Sequence, residues 1–120
     1  MPLGTPRELL ERAMAALIDV FGEMRPILVG CVEGYPAALR EEALRERLAA
    51  AYGKAREAGV RMLRRAAAEA GIELPVAPEV LVSVVIAISD GLMLQWLIDP
   101  ESTPDSRQVV DALAAISAGL

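Results

Sequence analysis

Few residues in this chain are equipped for chemistry. Histidine is absent, which removes the side chain that most often moves protons or holds zinc near neutral pH. No glycine-rich phosphate cradle occurs, and no serine or cysteine sits in a nucleophile motif. Glu41, Glu42 and Glu46 form a carboxylate cluster, but Arg40, Arg45 and Arg47 alternate with them, as on a solvated helix face. Cys31 is the only cysteine. No intramolecular disulfide is therefore expected, a cytoplasmic location is the default, and the apolar neighbours predict a buried, unreactive thiol. The reading is non-enzymatic, with neither cofactor nor metal. One carboxylate still raises a question. Asp90 lies within "SVVIAISDGLMLQWLIDPESTPD" (83–105), which is apolar on nearly every side. Either it bonds a nearby hydroxyl, arginine or backbone group, or it faces a cavity and orients a ligand, because a buried carboxylate without a partner is costly.

The elements that must position Asp90 follow from composition and pattern. The chain has 120 residues, suited to a single domain over 1–120. It is 54% hydrophobic but only 3% aromatic. A core built from Ala, Leu, Val and Met at that density is helical, since alanine favours helix and adds little bulk between neighbours. The formal net charge is −5 and Lys54 is the only lysine. A surplus of acid argues against binding nucleic acid, whose affinity comes from neutralised phosphates. The stretch 36–71 is mildly positive, which reads as a solvated face, and everything after Gly71 is acidic except Arg107. No basic, apolar and small-residue leader opens the sequence, so no secretory signal is expected.

Punctuation divides the chain into about five helices. The first opens with Thr5 as N-cap, Pro6 at the first helical position and Glu8 closing a capping box. Gly22 and Pro26 are expected to loosen or end it, and a short apolar helix then runs to a turn at Gly34–Pro36. A long helix over 36–70 would span about 50 Å. Its apolar seam is Leu44, Leu48, Ala51, Ala55, Ala58, Met62 and Ala66, Gly53 and Gly59 are expected to bend it, and Gly71 caps it. The fourth helix runs from Pro78 to Ile98 and stops at Pro100. Thr103 is expected to cap the last helix, with Pro104 and Asp105 in its first turn. No strand alternation appears. The expected fold is all-α, an antiparallel helical bundle.

The fourth helix is nearly long enough to cross a bilayer, but Asp90 at its centre and acidic flanks oppose that reading. It could be wrapped by its own chain. Alternatively one face meets the core and another meets a second copy, because a helix apolar all round must be covered. The small residues of the last helix support the latter, and the last two helices of two chains would then form a four-helix dimer interface. The candidate interface residues are Leu81, Val85, Ile88, Ser89, Gly91, Leu92, Gln95, Ala112, Ala115 and Ile116, with Gly91 permitting a close crossing.

At "AISDGLMLQWLIDPESTPD" the chain resembles the C-terminal domain of tetracycline-repressor (TetR) family transcriptional regulators, whose penultimate helix carries an "a..DGL.l..l.dP" pattern. Ala87, Asp90, Gly91, Leu92, Leu94, Leu97, Asp99 and Pro100 match it. "EGYPAALREEALRERLAAAYGKAREAGVRMLRRAAAEAGIEL" is similar to the long helix that precedes it. The resemblance implies a bacterial regulator's effector-binding and dimerisation domain. DNA would be contacted only through a helix-turn-helix domain that has no counterpart here. It also implies a small apolar effector held among the helices. Candidate walls are Met14, Leu17, Ile18, Phe21, Leu28, Tyr52, Met62, Val84, Met93 and Trp96, each of which is alternatively plain core. The competing reading is a stand-alone helical interaction module with no small-molecule ligand.

Overall fold

A computed structural model describes residues 5–120, and those residues form an all-α bundle of five helices. They are α1 (Pro6–Ile18), α2 (Phe21–Arg40), α3 (Glu42–Ala70), α4 (Pro78–Ile98) and α5 (Ser106–Ala118), with one 3₁₀ turn over Pro100–Ser102.

Several boundaries follow from local chemistry. The Glu8 amide donates to Thr5 Oγ1 at 3.2 Å, and Pro6 occupies the first turn of α1. At the end of α3, Gly71 takes φ +67° while its amide reaches Ala68 O and the Ile72 amide reaches Ala67 O. That is the pair of bonds a left-handed glycine cap makes. Pro78 opens α4 and Pro100 follows its end.

Other boundaries correct the sequence reading. Neither Gly22 nor Pro26 ends α1. The break falls at Asp19–Val20, and α2 runs through both Pro26 and Pro36. An interior proline removes a hydrogen bond and costs about 3 kcal/mol. Here the packing of Leu28 and Val32 on the core and the burial of Ala38 hold α2 together across both sites. The turn therefore lies at Glu41, a single extended residue between α2 and α3. Thr103 does not cap α5. Its hydroxyl donates to Asp99 O at 2.9 Å, closing the end of α4. Asp105 is the N-cap, in a reciprocal capping box with Gln108, so Pro104 and Asp105 precede the helix. Cys31 is exposed rather than buried, because it lies on the open side of α2.

The core joins four helices. Met14 and Ile18 of α1, Phe21 of α2, Leu92 and Met93 of α4, and Val109 and Val110 of α5 bury one another. Polar ties bind α5 to α1 at both ends, between Arg7 and Asp111 and from Ser106 Oγ to Asp19 Oδ2. Against the other flank of α4 lies α3, through Val60, Ala67 and Val82. Its inward face is Tyr52, Gly59, Val60, Leu63 and Ala67, while Ala51, Ala55 and Met62 of the expected seam are exposed. Gly59 has a packing role: a Cβ there would lie 2.7 Å from Val82 Cγ1.

Candidate functional site

Helix α4 is where composition and burial disagree most. Its 21 residues include an 18-residue window with a mean hydropathy of 2.0, and it is the one helix among the described residues long and apolar enough to cross a bilayer. Only Val82, Leu92 and Met93 of them are buried. The reading in which the chain wraps this helix on all sides is thus overturned. What lies open is ordered. Val80, Val84, Ala87, Gly91, Leu94 and Ile98 form one stripe along the open face, all exposed except the half-buried Gly91, from Val80 at 55% exposure to Ile98 at 84%. Their spacing alternates four, three, four, three and four, the repeat by which one helix lies along another. At the middle of the stripe stand its two smallest residues, Ala87 and Gly91. A Cβ on Gly91 would meet nothing within 4 Å, so no contact inside the protomer calls for a glycine there.

Beside the stripe, α4 and α5 enclose an open apolar groove of about 370 Å³, lined by Ala87, Gly91, Gln95, Gln108 and Ala112 among others. Of the expected interface residues, Gly91, Gln95 and Ala112 line this groove, and Ala115 and Ile116 lie exposed farther along α5. Ile88 and Leu92 also line it while packing into the core. Leu81, Val85 and Ser89 are half-buried on the inner flank of α4. A shallower depression of about 430 Å³ borders Arg56, Val80, Val84 and Ala87 between α3 and α4.

Apart from Tyr52, which bonds to Asp90, the expected effector walls divide into two groups. Met14, Ile18, Phe21 and Met93 meet in the core, with Leu28 and Trp96 packed on them. The Trp96 ring lies 5.9 Å from Phe21 and beneath the Arg25 guanidinium at 5.5 Å. Leu17, Met62 and Val84 are not brought to this cluster and stand at the surface, Met62 with 71% exposure.

Asp90 proves to be bonded to a hydroxyl. Tyr52 of α3 donates to Asp90 Oδ2 at 2.5 Å, and the Tyr35 hydroxyl of α2 lies 3.2 Å from that of Tyr52. A carboxylate only accepts, and Tyr52 has one proton, so the chain runs from Tyr35 to Tyr52 to Asp90. The bond donated to Asp90, together with partial burial, raises the Tyr52 pKa well above that of a free tyrosine. Among the described residues, no cluster of three metal-ligating side chains forms.

Two features escaped the sequence reading. The stripe of α4 was legible in principle from its four-three spacing, but every face of the helix is apolar and the repeat does not stand out. Tyr35 had no signal, since it meets Tyr52 and Asp90 only through the fold.

Fold and surface together define a five-helix domain that leaves one long apolar helix half-covered. Residues 6–120 match the sequence model of the C-terminal domain of BetI-type transcriptional repressors. The chain belongs to that family, a TetR-type C-terminal domain. No curated protein and no solved structure matches it.

Proposed function

We propose that this domain is the part of a transcriptional repressor that pairs two subunits through α4 and α5 and takes a small apolar effector among α1, α2 and α4. It works in the cytoplasm, does no catalysis and does not cross a membrane. DNA is reached through a separate helix-turn-helix domain and not through this acidic chain. The observation that carries the pairing is the exposed four-three stripe of α4, whose midpoint is Ala87 and Gly91. Large apolar residues left open at that spacing fit a parallel or antiparallel partner helix, and small central residues let the two backbones approach. Membership of a repressor family supports a regulatory role.

Sedimentation equilibrium tests the pairing. The chain should be a dimer at micromolar concentration, and Gly91→Leu should make it a monomer. Nothing in the protomer lies within 4 Å of a Cβ at position 91, and leucine improves helix propensity by about 1 kcal/mol, so helical circular dichroism of the variant should match that of the unmutated chain. Loss of the dimer then cannot be blamed on unfolding. A monomeric unmutated chain would overturn the proposal.

One observation favours the second reading, a helical interaction module without a small ligand. The core walls pack on one another, and the two open depressions lie on the outer faces of α4.

A further inference from the structure

Helix α4 makes two kinds of contact with its own protomer. Val82 against Gly59, and Leu92 and Met93 in the core, are apolar. Such contacts are non-directional and tolerate a helix turning about its axis. Hydrogen-bonded ties are directional. Among the described residues α4 has two from its side chains to other helices: an exposed pair between Glu79 and Arg64, and the part-buried bond from Tyr52 to Asp90. The second is extended by Tyr35, so one hydrogen-bonded chain spans α2, α3 and α4.

Asp90 also sits where a rotational constraint has most effect. It immediately precedes Gly91, at the midpoint of the exposed stripe, and each residue advances about 100° around the axis. Fixing Asp90 on Tyr52 therefore fixes where Ala87 and Gly91 point. A single polar residue on an apolar helix commonly selects one register among several that apolar packing would allow.

We infer that Tyr35, Tyr52 and Asp90 form a clasp that sets the rotational register of α4 and so presents the Ala87–Gly91 stripe to a second copy of the chain. The inference rests on the pairing proposed above. It makes the hydroxyls of α2 and α3 positioning groups for an interface they do not touch. Anything that parts Tyr52 from Asp90 turns α4 and disturbs the pairing.

Disulfide trapping reads the register directly. In a Cys31→Ser background, single cysteines are placed at the centre of the stripe (Ala87→Cys) and on its two flanks (Ser83→Cys and Ile88→Cys), and the full chain is oxidised. The central site should cross-link best. Adding Tyr52→Phe, which keeps the ring and removes the hydroxyl, should lower the central yield about five- to tenfold while one flank gains. An unchanged pattern overturns the inference. So does an equal fall at all three sites, which reports weakened association without a turn of the helix. If Tyr52→Phe loses its helical circular dichroism, Tyr35→Phe removes only the outer bond and should shift the pattern the same way, and failure to do so overturns the inference. A chain that sediments as a monomer and cross-links nowhere removes the pairing itself, whereas a dimer indifferent to both substitutions removes the clasp alone.

Discussion

Tyr52 holds its proton between two partners, accepting from Tyr35 and donating to Asp90. Losing that proton would set a phenolate against a carboxylate, which is why the folded-state pKa lies above the ordinary value of about 10. The sign of the linkage follows. A folded-state pKa above the unfolded one contributes stability that is complete below about pH 10 and is lost as pH rises past it, since only the unfolded chain has released the proton. Urea denaturation between about pH 9 and pH 11 should show stability falling more steeply in the unmutated chain than in Tyr52→Phe. Parallel slopes would mean that the Tyr52 hydroxyl exchanges its bond for water. Gly59 is a second residue with one physical demand on it. A methyl group there would overlap Val82 Cγ1 at 2.7 Å, and valine is stiff about χ1. Gly59→Ala should therefore destabilise by about 1–3 kcal/mol despite its better helix propensity. Val82→Ala in the same chain should recover part of the loss, and thermal denaturation of the single and double variants checks both.

Among the helices, what the sequence disclosed depended on how local each determinant is. Thr5, Pro6, Gly71, Pro78 and Pro100 act within one turn of themselves, and each marks a boundary where the structure has one. Pro26 and Pro36 act locally too, yet α2 passes through them because Leu28, Val32 and Ala38 are held by other helices. Thr103 and Asp105 competed for one cap. Asp105 took it, with Gln108 three residues on completing the reciprocal bonds, while Thr103 turned back to α4. The site followed the same rule. Met14, Ile18 and Phe21 were legible as mutual neighbours because each lies on the apolar side of its element. Leu17, Met62 and Val84 were equally apolar but on the wrong side, and on α4 apolarity carries no directional information. The bond from Tyr52 to Asp90 joins residues on separate helices, α3 and α4. No spacing rule reaches that far.

The protomer as a whole is more open than its size requires. Its radius of gyration is 15.7 Å, against about 13.5 Å for a compact chain of this length. Its accessible surface is 8445 Å², against about 6,300 Å² for a compact monomer of this mass. The excess of roughly 2,000 Å² is larger than the ~800 Å² that each partner loses in a standard interface. Pairing through α4 and α5 can therefore be extensive and still leave α1 and α2 free to open around an effector. On the proposed reading such opening is needed, because the core walls fill one another's space and a ligand would gain entry only by favouring a looser arrangement. The melting temperature should accordingly rise with protein concentration, as for any species stabilised by association. A series of uncharged aliphatic and aromatic compounds should then yield at least one that raises it further. At a hundredfold excess over its Kd the gain is about 2.7 kcal/mol, on the order of 10 °C for a domain of this size. The same compound should still stabilise the Gly91→Leu monomer, since Met14, Ile18, Phe21 and Met93 all come from one protomer. Stabilisation confined to the dimer would place the ligand between subunits. A response flat across the whole series, in a chain that nevertheless pairs, would identify an interaction module that takes no small molecule.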